Sequence, residues 1–156
     1  MHFRVKLDDT DRKLLRTLQA ESTLSVQELA ERINLSHTPC WRRLKRLESI
    51  GVIRGRAVIL DAVALNLPIT VFAEIKLKQH DEDTLEELEH AVERCREIVE
   101  CFSMSGDRDY IFRVVIESVE HYERFLKKVV LHLPGVASVN SSFALKCVKL
   151  TTCLPI

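Results

Sequence analysis

Four basic side chains occupy five consecutive positions within the stretch SHTPCWRRLKRLES, which begins at Ser36. Guanidinium groups present a rigid fork of donors that fits phosphate oxygens and the edge of guanine, and an ammonium group binds phosphate as a point charge. Taken alone, a run of charge is more often a solvated helix face than a binding surface. The run consists of Arg42, Arg43, Lys45 and Arg46, and the elements around it, three helices and a basic hairpin, favour an anion-binding surface.

A helix is expected to hold these cations. Ser36 is a suitable N-cap, and Pro39 falls within the first turn, where no intrahelical N–H bond is lost. Cys40, Leu44 and Leu47 recur at helical spacing and form an apolar stripe, which directs the basic side chains towards solvent. In this position we interpret Cys40 as a small core residue.

Two helices precede this one and a basic hairpin follows it. Asp8 is expected to cap the helix DDTDRKLLRTL, and Ser25 with Glu28 forms a capping box at the start of SVQELAERI. After the third helix, VIRGRAVIL predicts two short strands that turn at a cationic tip, residues 54–56. Three helices and a basic hairpin predict a winged helix-turn-helix over residues 1–60.

Such a module places the start of its third helix in the major groove of DNA. The small polar groups of Ser36, His37 and Thr38 would lie at that end of the helix. We expect base contacts from His37, Thr38, Trp41 and Arg42. We expect phosphate contacts from Arg43, Lys45, Arg46, Arg54 and Arg56. Trp41 either touches DNA or packs beneath the neighbouring basic side chains.

The charge is unevenly distributed, although the chain of 156 residues is neutral overall. Residues 1–60 contain 12 Lys and Arg against 7 Asp and Glu, whereas residues 61–156 contain 11 against 16. This asymmetry favours an anion-binding module joined to an acidic one.

The composition, 46% hydrophobic and 29% charged, is that of a soluble globular protein. No stretch approaches the about 20 apolar residues of a membrane span, and the start, MHFRVKLDD, has no apolar run after its basic residues. We therefore expect a cytoplasmic protein that does not bind membranes. The cysteines are odd in number and form no C-x-x-C pair, so we expect reduced thiols and no metal site; they are Cys40, Cys95, Cys101, Cys147 and Cys153.

The hydrophobic period changes beyond a linker at residues 61–69. TVFAEIKLK alternates as a strand does, and Thr84 with Glu87 predicts a capping box for the next helix. IVECFSMSG and DYIFRVVIE predict a hairpin around the loop GDR, Ser118 is expected to cap another helix, and a last strand lies near VASVNSSFALKCVKL. The order βαββαβ predicts a ferredoxin-like domain over residues 70–156, and an α+β fold for the whole chain.

Both helices of a ferredoxin-like domain cover one face of its sheet. The other face would expose an apolar patch if it were bare, so we expect it to pair with the same surface of a second chain. A two-fold dimer would present two recognition helices to a pseudo-palindromic DNA site.

The stretch LDDTDRKLLRTLQAESTLSVQELAERINLSHTPCWRRLKRLESIGVIRGRAVILD resembles the DNA-binding domain of the Lrp/AsnC family of transcriptional regulators. The stretches CFSMSGDRDYIFRV and LPGVASVNSSFALKCVKLTTCLPI resemble the regulatory domain of the same family. The resemblance implies dimers that assemble further, commonly to octamers, and a response to a small molecule, usually an amino acid.

The resemblance also implies an effector site at residues 105–109, the glycine-acidic loop, which contains Gly106, Asp107 and Asp109. From the residues alone, this segment is interpreted as a polar hairpin turn. An effector site is chemically reasonable, because glycine lets a carboxylate approach backbone N–H groups and a nearby Asp can pair with an ammonium group. The expected effector-binding residues are Met104, Ser105, Gly106, Asp107, Asp109 and Tyr110, faced by Val136, Ser138 and Ser142.

Two features depart from the family pattern. The linker has Ala62, Leu65 and Asn66 where the family tends to have proline and then leucine-glycine, so it is expected to pivot differently. Arg108 adds a cation to the effector loop, which either favours an acidic ligand or points to solvent.

These observations favour a sequence-specific transcriptional regulator controlled by an amino acid. We expect no enzymatic activity and no cofactor, because the histidines lie far apart in sequence and no known catalytic motif is present. Two alternatives remain: an architectural DNA-binding protein without an effector, and a regulator that senses redox state through a thiol.

Overall fold

The computed structural model describes residues 5–156. The first four residues lie outside the described residues, so the expectation for the start of the chain, MHFRVKLDD, falls partly on them. The chain forms two compact units. Of the described residues, one unit contains 5–59 together with Lys149–Ile156, and the other contains Leu60–Val148.

The first unit contains the three predicted helices, α1 (Asp9–Ala20), α2 (Val26–Ile33) and α3 (His37–Ser49). The predicted N-caps Asp8, Ser25 and Ser36 each precede a helix directly, and the capping box of Ser25 with Glu28 is confirmed. The apolar stripes of the helices meet in one core, which consists of Leu14, Leu15, Leu24, Leu29, Ala30, Ile33, Cys40, Leu44 and Leu47.

The connection between α2 and α3 is short because Asn34 adopts the left-handed conformation, with φ 58°. The amide of Leu35 then donates to the carbonyl of Ala30 at 2.9 Å, which ends α2. Ser36 follows at once as the N-cap of α3, so the turn fixes the direction of α3.

The expected strands of the basic hairpin are not formed: residues 54–60 are irregular. The amides of Val52 and Ile53 both donate to the carbonyl of Leu47, at 3.0 and 3.1 Å, after Gly51 with φ 74°. Because these N–H groups complete the end of α3, they cannot pair with a second strand. The prediction of two strands was wrong for this reason.

The last eight residues pack with the first unit, whereas the sequence had assigned them to the second domain. Gln19 of α1 forms a two-way amide pair with Leu154, at 3.2 and 2.6 Å. Arg16 donates from Nε to the carbonyl of Ile156 at 2.5 Å, and the side chain of Ile156 packs against the helical core.

The second unit has the predicted βαββαβ order, and its antiparallel sheet has the strand order β2-β3-β1-β4. A short 3-10 turn, Val130–His132, precedes the last strand. The elements are β1 (Ile69–Leu77), α4 (Glu82–Glu93), β2 (Ile98–Ser103), β3 (Tyr110–Ile116), α5 (Val119–Lys128) and β4 (Val136–Phe143).

One face of the sheet forms the core with α4 and α5. Alternate residues of β1 and β3 are fully buried there, against Leu88 and Val92 of α4 and Tyr122 and Phe125 of α5. The opposite face is more polar than the sequence suggested. Phe72 and Phe102 are exposed on it, and there the half-buried Arg113 pairs with the exposed Glu100.

Helix α4 begins earlier than its predicted capping box. Its N-cap is Asp81, whose carboxylate accepts the amide N–H of Thr84 at 2.9 Å. Thr84 therefore lies inside the first turn, and the predicted box of Thr84 with Glu87 was wrong. A carboxylate at the N-cap is favourable because it also faces the positive end of the helix dipole. The prediction that Ser118 caps α5 is confirmed.

The linker forms an ordered turn. Asp61 accepts the amide N–H groups of Val63 and Ala64, and the amide of Leu67 donates to the carbonyl of Ala62 at 2.8 Å. Asn66 ends the turn in the left-handed conformation, with φ 60°. Asparagine adopts this backbone conformation more readily than most other residues, so Asn66 suits the end of the turn.

Candidate functional site

The exposed side of α3 collects the residues expected to contact DNA bases. Trp41 is 48% exposed, so it is available at this surface and is not buried beneath its neighbours. The hydroxyl of Ser36 forms no cap hydrogen bond and remains free to donate. The exposed residues of this side are Ser36, His37, Thr38, Trp41, Arg42 and Lys45.

Arg43 and Arg46 are held by the start of α1. Arg43 donates to the carboxylates of Asp8 and Asp11 at 2.7 and 2.8 Å, and Arg46 donates to Asp11 at 2.5 Å. Asp11 is only 1% exposed. Sequence reasoning assigned both arginines to phosphates, but the structure also uses them to join α3 to α1.

Burial by itself would raise the pKa of the Asp11 carboxyl. The hydrogen bonds from Arg46 and Arg43 outweigh burial and hold its pKa below the ordinary value. The pKa of Asp8 is also lowered, by the backbone N–H of Asp11 and then by Arg43. Both carboxylates are therefore ionised at neutral pH.

The cluster had a recognisable signal in the sequence. Asp8 and Asp11 are three residues apart and form a capping box, each accepting the backbone N–H of the other residue. A capping box with two carboxylates gathers negative charge at the start of α1. The pairing of this charge with α3 depends on tertiary packing, which local spacing does not reveal.

The remaining basic candidates lie at the surface. Arg54 and Arg56 are exposed in the irregular segment after α3, and among the described residues neither has an acidic partner. Lys45 pairs with Glu48 at 2.8 Å on the surface of α3. Such exposed pairs contribute little stability, so Lys45 can exchange its partner for a phosphate.

The glycine-acidic loop connects β2 to β3, and Asp109 fixes it to β1. The Asp109 carboxylate accepts the amide N–H of Leu77 at 2.6 Å and lies 2.8 Å from Nε2 of His80. The backbone N–H of Leu77, followed by His80, holds the pKa of Asp109 below its ordinary value. Asp109 is thus committed to the loop's own structure, while Ser105, Gly106 and Asp107 are exposed.

Two of the expected effector residues face the core. Tyr110 is buried and donates its hydroxyl hydrogen to Glu89 at 2.7 Å, and burial together with that carboxylate raises the pKa of Tyr110 to about 12. Val136 is buried as well. The structure therefore separates these two side chains from the exposed residues of the loop.

Strand β4 presents the other expected effector residues on the open face of the sheet, beside β1. Ser138 and Ser142 lie on that face, in register with Lys76 and Phe72 of β1. Between them, Glu74 accepts a hydrogen bond from Asn140 at 3.0 Å.

Arg108 and Lys76 join the loop to β1. Arg108 lies 3.5 Å from the carboxylate of Glu74, and Lys76 donates to the carbonyl of Asp107 at 3.0 Å. The extra cation of Arg108 is thus partly balanced by Glu74 instead of pointing only to solvent.

Three of the cysteines are poor nucleophiles. Burial raises the pKa of the Cys40, Cys95 and Cys101 thiols, that of Cys101 to about 11. Cys147 and Cys153 are exposed. Within residues 5–156, no group of three His, Cys, Asp or Glu side chains is arranged to hold a metal ion. No described helix is both long and apolar enough to cross a membrane.

Comparison with known proteins agrees with these features. Residues 70–154 match the model of the Lrp/AsnC ligand binding domain, and residues 7–54 match a winged helix-turn-helix DNA-binding model. The chain belongs to the Lrp/AsnC family. The resemblance stated from the sequence is therefore confirmed, and so is the α+β fold predicted from the order of helices and strands.

Relatives in the Lrp/AsnC family match nearly the whole chain. The DNA-binding transcriptional activator DecR of Escherichia coli is 42% identical over 96% of this chain and 99% of its own. An AsnC family regulator from Agrobacterium tumefaciens superposes with a TM-score of 0.89 at 42% identity, covering 96% of this chain and 97% of its own. A regulator from Neisseria meningitidis, solved in complex with L-methionine, gives 0.90 at 35% identity, with the same two coverages. The protein is a DNA-binding transcriptional regulator with a small-molecule-binding domain.

Proposed function

We propose that the protein controls transcription in the cytoplasm as a homodimer, assembling further towards an octamer, whose DNA affinity changes when an amino acid binds. It acts by binding and not by catalysis. The observation that carries the proposal is the exposed side of α3, where polar, aromatic and cationic groups lie together beside a basic segment. An effector shifts such an assembly only if it binds one state more tightly than the other.

For DNA, we propose that the base-reading residues are the exposed ones at the start of α3, with Ser36 at the helix end. Arg42 is well suited, because it is exposed and no described carboxylate neutralises it. We propose phosphate contacts from the remaining cations, Arg43, Lys45, Arg46, Arg54 and Arg56. The DNA-binding domain is residues 1–60, with the last residues of the chain attached to it, and residues 61–69 link it to the regulatory domain.

For the effector, we propose an amino acid held between the glycine-acidic loop and β4. The methionine complex of the Neisseria relative supports this ligand class. Exposed backbone at Ser105 and Gly106 suits a carboxylate, and the free acidic group of Asp107 suits an ammonium. Met104, Ser138 and Ser142 complete the exposed set, while Asp109, Tyr110 and Val136 support it from behind.

The test begins with the full-length protein and a random duplex library, from which a preferred operator is selected. Binding of the labelled operator is then measured by fluorescence anisotropy with each of the twenty amino acids, and assembly by light scattering. We expect one or a few amino acids to change both. Thr38→Ala should reduce discrimination between operator and random duplex, whereas Arg12→Gln, an exposed change on α1, should not.

Two results would contradict the proposal. Failure to enrich any sequence, with equal affinity for all duplexes, would favour an architectural protein. A preferred operator whose binding and assembly ignore all twenty amino acids, but follow alkylation of the exposed thiols, would favour a thiol sensor instead.

A further inference from the structure

A cleft of about 480 Å³ lies between the segment that leads into α1 and the cationic part of α3. It is lined by four cationic side chains, two carboxylates and one leucine. These are Lys6, Leu7, Asp8, Asp11, Arg42, Arg43 and Arg46. The lining therefore has a net charge of +2 at neutral pH.

The carboxylates orient two of the arginines in this cleft. Arg43 contacts both carboxylates through one terminal nitrogen, and Arg46 contacts Asp11 through one. A guanidinium has five N–H donors, so each arginine keeps donors for another acceptor. The side chains of Arg43 and Arg46 are 32% and 43% exposed, so those donors can reach a ligand in solution.

The other two cations supply the excess charge. Among the described residues, neither Lys6 nor Arg42 has a carboxylate within ion-pair distance. Arg42 also belongs to the exposed side of α3, so the cleft is continuous with the surface proposed to read bases. An anion bound here would lie beside the DNA groove.

We infer that this cleft binds a phosphate of the DNA backbone, next to the base pairs contacted by α3, and that Asp11 is a positioning residue that holds Arg43 and Arg46 ready for it. The inference rests on the proposed DNA binding and adds Lys6 to the site. Arginines fixed before binding lose less conformational freedom when the phosphate arrives, which favours the complex. The phosphate takes the unused N–H donors of Arg43 and Arg46 and the charge of Lys6, while Arg42, which also lines the cleft, adds positive charge and remains assigned to the neighbouring bases.

The experiment uses the selected operator as a fluorescein-labelled duplex. Each phosphate in turn is replaced by an uncharged methylphosphonate, and wild type, Lys6→Gln and Arg46→Gln are titrated against every duplex. We expect Lys6→Gln to weaken binding about threefold to tenfold and to reduce the salt slope by about 1. Arg12→Gln is the matched control, because Arg12 is an exposed cation of α1 that does not line the cleft.

Coupling identifies the phosphate. At one phosphate in each half-site, the methylphosphonate should weaken DNA binding by the wild-type protein. The same replacement should weaken binding by Lys6→Gln and Arg46→Gln less, because these variants have already lost the contact. Asp11→Asn is studied at temperatures where melting shows it to be folded. It should reduce the coupling energy between this phosphate and Arg46. The salt slope should stay unchanged, since both arginines keep their charge. A purely structural role for Asp11 would leave that coupling intact.

The outcomes separate the two proposals. If wild type binds no duplex, the proposed function fails. If wild type binds the operator, but Lys6→Gln and Arg46→Gln behave like Arg12→Gln at every methylphosphonate position, the phosphate cleft is refuted while DNA binding stands.

Discussion

The carboxylate of Asp109 accepts the backbone N–H of Leu77 at 2.6 Å, so the last residue of β1 and the loop before β3 are joined by a charge-assisted hydrogen bond. The backbone of Asp109 adds two further bonds, donating to Ile75 and accepting from Met104. These three hydrogen bonds hold the Asp109 end of the glycine-acidic loop in place. Its exposed part is limited to the residues around Gly106.

Replacing Asp109 by Ala should lower the free energy of unfolding by about 1–3 kcal/mol at pH 7, because the amide of Leu77 loses its acceptor. The pKa of Asp109 is lowered in the folded protein. Its contribution is thus present above the ordinary carboxyl pKa of 3.8 and is lost as the pH falls through the folded value. Urea unfolding at pH 7 and in acid checks this, with Asp107→Ala as the control. An equal difference between wild type and variant at both pH values would contradict it.

Replacing Asp11 by Asn should destabilise the protein by about 1–3 kcal/mol, since the buried negative charge is lost and one of the two oxygens that accept from Arg43 and Arg46 becomes an NH2 donor. The folded-state pKa of Asp11 is lowered, so this stability exists at neutral pH and disappears as acid protonates the carboxylate. The measurement is the melting temperature from pH 7 down to pH 3. Glu21→Gln, which removes a surface partner of Arg32, should cost less than half as much.

Gly135→Ala should be strongly destabilising. A Cβ at this position would lie 2.4 Å from Cγ2 of Thr84, and φ is 71°, which favours glycine. The clash and the backbone strain together should exceed about 2 kcal/mol. Combining it with Thr84→Ser, which removes the methyl group but keeps the hydroxyl, should recover part of the loss in urea unfolding. No recovery would show that strain alone is responsible.

Alkylation should distinguish the cysteines. At pH 7.5, iodoacetamide should label Cys147 and Cys153 in the folded protein, and Cys101 only after unfolding, because burial raises its pKa to about 11. Mass spectrometry after a timed quench measures this. Retention of operator affinity after labelling would argue against the thiol-sensor alternative, and loss of affinity would support it.

Asp107→Asn should weaken the amino-acid response at least tenfold while leaving operator affinity without effector within about twofold, because it removes the charge proposed to pair with the ammonium group. Calorimetry with the amino acid found in the screen measures the first quantity and anisotropy the second. Unchanged amino-acid affinity would remove Asp107 from the site. Glu93→Gln, an exposed change at the end of α4, is the control.

Most of the fold could be predicted because its elements carry local signals. Ser25 with Glu28 marks the start of α2, and alternation along β1 identifies its buried side. The α4 boundary was misplaced because Asp81 and Thr84 are both plausible caps, and only the backbone geometry distinguishes them.

What the sequence did not reveal about the sites depends on long-range contacts. Spacing placed Arg43 and Arg46 on an outer helix surface, but it could not show that Asp11, more than thirty residues earlier, accepts from both. Similarly, the alternation in β3 begins at Tyr110, and its register against β1 turns that side chain towards α4. Such facts depend on how elements pack, which short sequence windows do not contain.

The bond from Arg16 to Ile156 spans 140 positions of the chain. The unit that carries α3 is therefore discontinuous in sequence, and its contacts with Leu154 and Ile156 form only after those two residues have left the ribosome. Closing so long a loop costs more conformational entropy than any contact between α1, α2 and α3, so docking of this tail should be among the last steps of folding. A nascent chain would therefore form its three helices long before Leu154 and Ile156 bind to α1.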